Sequence, residues 1–446
     1  MSSFGSSRRL SSKSGRPSVN SFSSGGSLRK PTPKAKKKIS FVGGATKGRH
    51  GPSSAKKSVV KTGSSSKISK KSSFEKRDPP GFTKLSKLGE GGFGTVWDCK
   101  NAKSGRSYAI KQLVKGSSAD AKRNINTGLN EQWFGRMWFS EGGRIRNQLG
   151  ICEAMAPEEG RSEGDKWLWK VNPSKYPGVF SIAKLVTTID TSQDLWLVFE
   201  KCGLPLTELL WELKGSFHKG TRIYTCRRRS FWNAMRADKN VLKKFLRKMI
   251  EALELTSDSN VVHSDLKPDN ILVNYMRGES DFLSLKIIDF GSAYDFELVE
   301  KVNSATPEYL PPEALALQCS RPSGRATTVQ DNLRDNSVPH AVDMWSLGCI
   351  FLEICAGFPL WFGYKSRVDS GSRFLTGLFA VPGRSPEKLI SRQIDVVSDL
   401  SETLRKCPEI GLSQDDDAID LLSQMLALEP TERICPQDAL SHPFLL

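Results

Sequence analysis

The sequence predicts an α+β domain of two lobes behind a disordered N-terminal tail. Three observations carry that expectation. The composition changes abruptly near residue 80, the remainder is too long for one ordinary core, and short apolar strands deliver glycines, a lysine and carboxylates at their ends. The chain has 446 residues, with 66 Lys and Arg against 48 Asp and Glu and a net charge of +18. Residues 1–80 hold 20 of the basic residues and two acidic ones, Glu75 and Asp78, so the whole excess sits there. The other 366 residues carry 46 of each sign, which excludes a uniformly basic nucleic-acid-binding globule.

The tail contains 22 serines and isolated Phe4, Phe22, Phe41 and Phe74. Such a segment cannot bury enough apolar surface to offset its ordering entropy. Its clusters Lys36-Lys37-Lys38, Lys70-Lys71 and Lys76-Arg77 read as nuclear import signals or as patches for weak, salt-dependent polyanion binding. A solvated arm and an organelle transit peptide are the alternatives. Nine scattered cysteines without a CxxC pair point to a reducing compartment rather than to a disulfide framework or a zinc ribbon. No secretory apolar core precedes Pro33, and the most apolar stretch, Leu347 to Gly363, is broken by Glu353. The expectation is a protein without a membrane span, in the nucleus or cytoplasm, or in an organelle if the tail is a transit peptide.

Folding signals begin near Gly81. Leu88-Gly-Glu-Gly-Gly-Phe-Gly-Thr-Val96 places glycines at 89, 91 and 94 between apolar flanks. Glycine lets main-chain N–H groups approach phosphate oxygens closely. A dinucleotide fold would follow these glycines with a helix, whereas Thr-Val-Trp-Asp-Cys-Lys is extended, so the glycines belong to a strand–turn–strand hairpin. Fifteen residues past Val96, Tyr108-Ala109-Ile110-Lys111 is an apolar strand ending in a lysine. A partly desolvated ammonium requires an anionic partner. Ile125, Leu129, Trp133 (or Phe134) and Met137 then recur at helical spacing.

Further along, Val261-Val-His-Ser-Asp-Leu-Lys-Pro-Asp-Asn-Ile-Leu-Val273 sets an acid, a base and an amide between two apolar strands. Nineteen residues after Asn270, the strand Leu285 to Ile288 delivers Asp289-Phe290-Gly291. Asn270 and Asp289 offer two hard oxygen ligands at neighbouring strand ends. That suits Mg²⁺ shared with substrate phosphates. Ala305-Thr-Pro-Glu-Tyr-Leu-Pro-Pro-Glu313, Asp343-Met-Trp-Ser-Leu-Gly348, Arg433 and Ala439-Leu-Ser-His-Pro-Phe444 complete the ordered set.

Over roughly Phe82 to Leu446 this set resembles the eukaryotic serine/threonine protein kinases. The resemblance implies a small antiparallel β lobe, about residues 81–201, and a larger helical lobe, about 202–446. It implies transfer of the γ-phosphoryl group of ATP to Ser or Thr hydroxyls of protein substrates, with ATP and Mg²⁺ as cofactors. By the same resemblance Asp265, Lys267 and Thr306 are catalytic, and Asn270 and Asp289 hold the metal. Lys111 meets the α- and β-phosphates and pairs with Glu131; Glu141 and Glu153 are competing partners, because residues 141–176 form an insertion. Leu88, Gly89, Gly91, Gly94, Val96, Ala109 and Leu272 enclose the nucleotide. Phe199 is the gatekeeper, and the main chain of Glu200 and Cys202 meets the adenine edge.

Two departures stand out from the family pattern. Pro311 replaces an alanine, and Ser264 stands where many kinases carry an arginine that reads an activation-loop phosphate. Activity is therefore expected not to depend on phosphorylation of that loop, at Ser304 for example. Two further insertions are expected at 214–238, after a helix over Leu206 to Leu213, and at 318–340. The Arg227-Arg228-Arg229 run is read either as a dock for an acidic partner or as a solvated loop. The alternative of another class is a pseudokinase scaffold localised by its basic tail. Lys111, Asp265, Asn270 and Asp289, all present, weigh against it.

Overall fold

A computed structural model describes residues 77–91, 94–139, 152–154, 169–218, 221–276, 282–298, 306–319, 335–363, 366–368, 376–406, 412 and 415–446. The tail expected over residues 1–80 lies outside these up to position 76, as do most of the insertions at 141–176 and 318–340 and residue Ser304. The folded chain has already begun at Arg77, whose guanidinium donates to the buried Asp194 carboxylate at 2.8 Å, four residues ahead of the expected boundary.

The first lobe is built from β1 (Phe82–Gly91), β2 (Gly94–Asn101), β3 (Ser107–Val114), α1 (Ala119–Met137), the short pair β4 (Cys152–Ala154) and β5 (Trp169–Val171), then β6 (Leu185–Asp190) and β7 (Asp194–Glu200). Five strands form one antiparallel sheet in the order β1-β2-β3-β7-β6. Side chains alternate across a strand. Trp97, Cys99, Ile110, Trp196 and Val198 therefore cluster on one face, and Leu113, Leu185, Leu195 and Leu197 on the other, against Ile125 of α1. Ser118 caps α1 by accepting from the Ala121 amide at 3.1 Å. The helix is where its spacing placed it, and its buried residues are Gly128, Glu131, Phe134, Gly135 and Met137, so Phe134 and Met137 of the apolar spacing face the core. Leu129 and the alternative Trp133 are 48% and 45% exposed. The helix turns that way because Glu131 has a buried cation to meet.

The second lobe contains β8 (Leu204–Pro205), α2 (Leu206–Leu210), the hairpin β9 (Trp211–His218) and β10 (Thr221–Arg228), α3 (Ser230–Ala237), α4 (Lys239–Asp258), β11 (Val261–Val262), β12 (Ile271–Met276), β13 (Phe282–Ile287) and β14 (Tyr294–Asp295). It continues with α5 (Pro312–Cys319), α6 (Ala341–Ala356), β15 (Ser366–Val368), α7 (Pro386–Ser398), α8 (Leu400–Arg405), α9 (Asp416–Met425) and α10 (Pro436–Leu440). No helix among the described residues is long and apolar enough to cross a membrane.

The helix expected over Leu206 to Leu213 stops at Leu210. Trp211 is extended (φ −133°, ψ 143°), and its indole N–H donates to Glu353 at 2.8 Å. From there the insertion at 214–238 is ordered as a hairpin, with β15 added in parallel to β10, followed by a helix. Of the three arginines, Arg227 is exposed, whereas Arg228 is packed. Its Nε donates to the Gly357 carbonyl at 3.0 Å, and its guanidinium lies 4.6 Å from the Trp232 ring centre.

Every residue of α6 is buried, as expected of a helix apolar all round at the centre of a lobe. Its Asp343, Ser346 and Glu353 are all committed, whereas the Trp345 indole N–H has no hydrogen-bond partner. Glu353 accepts from Trp211 and, at 2.5 Å, from the Tyr309 hydroxyl. Ser346 Oγ donates to the Tyr309 carbonyl at 2.8 Å. Beneath the helix, Arg433 forks onto Glu313 at 2.5 and 2.8 Å and donates to the Ala341 carbonyl at 3.0 Å.

Burial pushes the Glu353 carboxyl up to about 7 from 4.5, against the opposing donors Tyr309 and Trp211. A carboxyl raised in the folded state keeps a proton that the unfolded chain releases, so stability falls as pH rises from 4.5 to 7 and is level above. Glu353→Gln removes this titration. Relative to the wild type, its unfolding free energy should rise by about 3 kcal/mol between pH 4.5 and 8, read by urea denaturation at both pH values. Parallel curves would contradict a protonated, buried Glu353.

Candidate active site

The hairpin closes with Gly91 opposite Gly94. Gly94 is required by the protein itself, since at φ +158° an added Cβ would stand 2.6 Å from the Gln112 carbonyl oxygen. At Gly89 and Gly91 a Cβ would meet nothing within 4 Å. Packing gives no reason for glycine there. Bare backbone in open space is what close approach of a phosphate chain requires.

Register places four of the residues expected around the nucleotide on one face of the sheet. Val96 pairs with Lys111, and Ala109 pairs with Phe199 across β3 and β7. Directly opposed residues share a face, so Val96, Ala109, Lys111 and Phe199 point the same way. Val96, Ala109 and Phe199 are half-buried, and Leu88 is 50% exposed on the glycine hairpin. After Glu200 the chain leaves the sheet through the hinge. The Glu200 side chain is occupied by Lys286 Nζ at 2.6 Å and the Lys184 amide at 2.9 Å, and its main-chain N–H donates to the Lys184 carbonyl at 3.1 Å. The Cys202 thiol donates to the Glu200 carbonyl at 3.5 Å. Burial, helped by Glu200, pushes that thiol up to about 12, so it stays neutral. Gly203 passes so close to β12 that a Cβ would lie 2.1 Å from the Val273 carbonyl oxygen. Leu272, half-buried, comes to the hinge from the second lobe through the β12–β8 pairing.

Lys111 is buried and doubly paired, with Glu131 Oε2 at 2.6 Å and Asp289 Oδ1 at 2.8 Å. Of the three candidate glutamates, Glu131 is the partner; Glu141 and the Glu153 side chain lie outside the described residues. Burial alone would lower the Lys111 pKa, but the charges of Glu131 and Asp289 outweigh it and hold the ammonium protonated. Asp289 is likewise pushed up by burial and pulled further down by Lys111, so it stays ionised. It sits at φ 64°, in the left-handed region, a strained setting typical of functional positions.

The loop between β11 and β12 is braced from α6. Asp343 accepts from the amides of His263 and Ser264 at 2.7 and 3.0 Å, which holds Ser264 at φ 67°. Ser264 is buried and its Oγ has no hydrogen-bond partner. Asp265 stands at the centre of a four-contact arrangement. Its Oδ1 accepts from the amide and hydroxyl of Thr306 at 3.0 and 3.1 Å. Its Oδ2 accepts from Lys267 Nζ at 2.7 Å and Asn270 Nδ2 at 3.2 Å. Lys267 Nζ also donates to Thr306 Oγ1 at 2.8 Å. The three residues expected to be catalytic thus meet, though Thr306 is 41 residues beyond Asp265.

Asn270 spends its amide nitrogen on Asp265, donating to the main-chain carbonyl at 2.8 Å as well, which leaves Oδ1 as the ligand atom. One oxygen of Asp289 serves Lys111. Two hard oxygens remain, and no group of three or more His, Cys, Asp or Glu among the described residues could hold an ion by itself. Asn270 and Asp289 therefore fit a divalent cation that takes its other ligands from water and phosphate.

Two contributors carried no readable sequence signal. Asn130, next to Glu131, donates to the carbonyls of Gly291 and Ala293 at 3.1 and 2.7 Å. Trp138 packs its ring 5.4 Å from Phe290, and its indole N–H reaches Ser259 Oγ at 3.1 Å, while His263 meets Phe290 from another side at 4.7 Å.

A cleft with an open glycine hairpin, a buried lysine shared by two carboxylates, and an aspartate ringed by a lysine, an amide and a threonine is built for phosphoryl transfer. The protein kinase domain family matches residues 178–445. The chain is 32% identical over 276 residues to cell division control protein 2 homolog 3 of Trypanosoma brucei brucei, covering 59% of this chain and 72% of that one. It is 32% identical over 216 residues to the mitogen-activated protein kinase HOG1 of Wallemia muriae, covering 47% and 67%. With HOG1A of Wallemia ichthyophaga the identity is 26% over 372 residues, 82% of this chain and 77% of that one. The chain belongs to the protein kinase family. It is a serine/threonine protein kinase, a transferase that uses ATP. The family match begins beyond α1, so the roles of the glycine hairpin, Lys111 and Glu131 rest on geometry and on the resemblance of their motifs.

The two kinds of glycine give a paired expectation. Gly94→Ala should lower stability by about 1–3 kcal/mol in a denaturation curve. Gly91→Ala should leave that curve unchanged and raise KM for ATP. An unchanged KM for Gly91→Ala would show that this main chain does not approach the nucleotide.

Proposed function

We propose that Asp265 receives the substrate hydroxyl, that Asn270 and Asp289 hold Mg²⁺ with the phosphates of ATP, and that Lys111 and Lys267 divide the phosphate charge. The observation that carries this reading is the saturation of the Asp265 carboxylate by four donors. One contact must yield to an incoming Ser or Thr hydroxyl. Thr306 and Asn270 are held by their main chain or by other bonds, whereas Lys267 is a flexible ammonium on a partly exposed stem. Lys267 turns toward the transferring phosphoryl group, and the vacated Oδ2 lone pair takes the hydroxyl hydrogen. The hydroxyl oxygen bonds to the γ-phosphorus as the bond to the bridging oxygen breaks, and the proton passes to Asp265. When bound, Mg²⁺ neutralises charge on the phosphate oxygens. Positioning and preorganised charge supply the catalysis.

Asp265→Asn keeps shape and loses the proton acceptor, and Lys111→Met keeps apolar bulk and loses the phosphate contact. Each should reduce transfer of labelled phosphate from ATP to a generic basic protein by at least about 10²-fold, with chelation of divalent metal abolishing the wild-type signal. Equal labelling by all three proteins would overturn the reading. Because Ser264 offers no charge to a phosphate, phosphatase-treated protein should keep its kcat within about twofold. A loss mapping to Ser304 would contradict that.

A further inference from the structure

The helix that carries Glu131 is joined to the segment that carries Asp289 by more than the lysine between them. Asn130 Nδ2 donates to Ala293 O at 2.7 Å, to Gly291 O at 3.1 Å and, at the limit of bonding, to Phe290 O at 3.5 Å. These carbonyls flank the turn immediately after Asp289. Thr127, one helical turn earlier, closes on the same place: a Cβ on Gly291 would lie 2.4 Å from Thr127 Cγ2. A ring of contacts results. It runs from α1 through Glu131 to Lys111, on to Asp289, along the main chain to Gly291 and Ala293, and back to α1 through Asn130.

We propose that Asn130 is a positioning residue for phosphoryl transfer, the latch that closes this ring. Glu131 and Lys111 alone form one point of contact, about which α1 can pivot. A second point, one residue away and directed at main chain rather than side chain, removes that freedom and sets the distance between the phosphate-binding lysine and the metal-binding aspartate. Misplacement of about 1 Å in such a constellation costs about 10²-fold in rate. The latch is a neutral amide, so it needs no charge on the activation segment. It offers a physical reason why a chain with Ser264 in place of a phosphate-reading arginine can hold its site assembled. The inference rests on the kinase reading above.

Three substitutions in the full chain separate a latch from a space-filler. Asn130→Ala removes the donors. Asn130→Asp keeps the shape but turns carboxylate oxygens toward three carbonyl oxygens. Gln132→Ala, the control on the far side of Glu131, cuts a 3.1 Å bond from α1 to Thr188 in its own lobe. On phosphatase-treated protein, Asn130→Ala should lower kcat/KM for ATP about tenfold and Asn130→Asp at least as much. KM for the protein substrate should stay constant throughout, and Gln132→Ala should remain within about twofold of wild type. Wild-type kinetics in Asn130→Asp would overturn the proposal, because shape alone would then suffice. Loss of the folded state at assay temperature in both Asn130 variants would also overturn it, making Asn130 a folding residue. No transfer by the wild type itself would instead sink the kinase reading, and this inference with it.

Discussion

The amides of His263 and Ser264 both end on one buried carboxylate, that of Asp343, and much of the site depends on that anchorage. Asp343 belongs to α6, a helix buried along its whole length, so its position is set by packing on every side. The same helix holds Tyr309 through Ser346 and Glu353, and Tyr309 follows Thr306 by three residues. Asp265 and Thr306 therefore take their places from a single rigid element. Burying polar groups is costly unless each finds a partner. Here Asp343, Ser346 and Glu353 of α6 are spent on the loop of His263 and Ser264, on Tyr309 and on Trp211, while the buried Trp345 indole N–H has no hydrogen-bond partner.

Around this platform the site is arranged as shared charges rather than isolated pairs. Lys111 serves Glu131 and Asp289, while Lys267 serves Asp265 and Thr306. A shared ammonium can transfer part of its attention to an incoming phosphate without leaving a buried carboxylate bare. A dedicated pair would lose a partner and bear the desolvation cost. The strained backbones at Ser264 and Asp289, both in the left-handed region, are tolerated because each is tied down on both sides.

Much of this was legible in the sequence because the chemistry lies at strand ends in contiguous runs. The glycine hairpin, Lys111, the loop from His263 to Asn270 and the Asp289 turn each read locally, and each is found where its run predicts. Spacing also found Glu131, although two other glutamates fitted less well. Side-chain orientation was not legible. The apolar spacing of α1 left Trp133 and Phe134 as alternatives, and packing put Phe134 and Met137 inward while Leu129 and Trp133 stayed exposed. The stretch Leu206 to Leu213 has helical periodicity, yet Trp211 leaves the helix for a hydrogen bond to Glu353, 142 residues away. Arg228, read as a surface charge, is spent on a distant carbonyl and an aromatic ring.

The sequence by itself determined the segregation of charge into the first eighty residues, the glycine hairpin that opens the first lobe, and the local runs that carry Lys111, Asp265, Asn270 and Asp289. Those features follow from residue type and local spacing, which act over a few residues. Only the tertiary structure decided which carboxylate Lys111 meets, how Thr306 reaches Asp265, and that Asn130 and Trp138 bind α1 to the catalytic segment. Such contacts join residues tens to hundreds of positions apart. Their free energy depends on burial and geometry that exist only once the chain has packed.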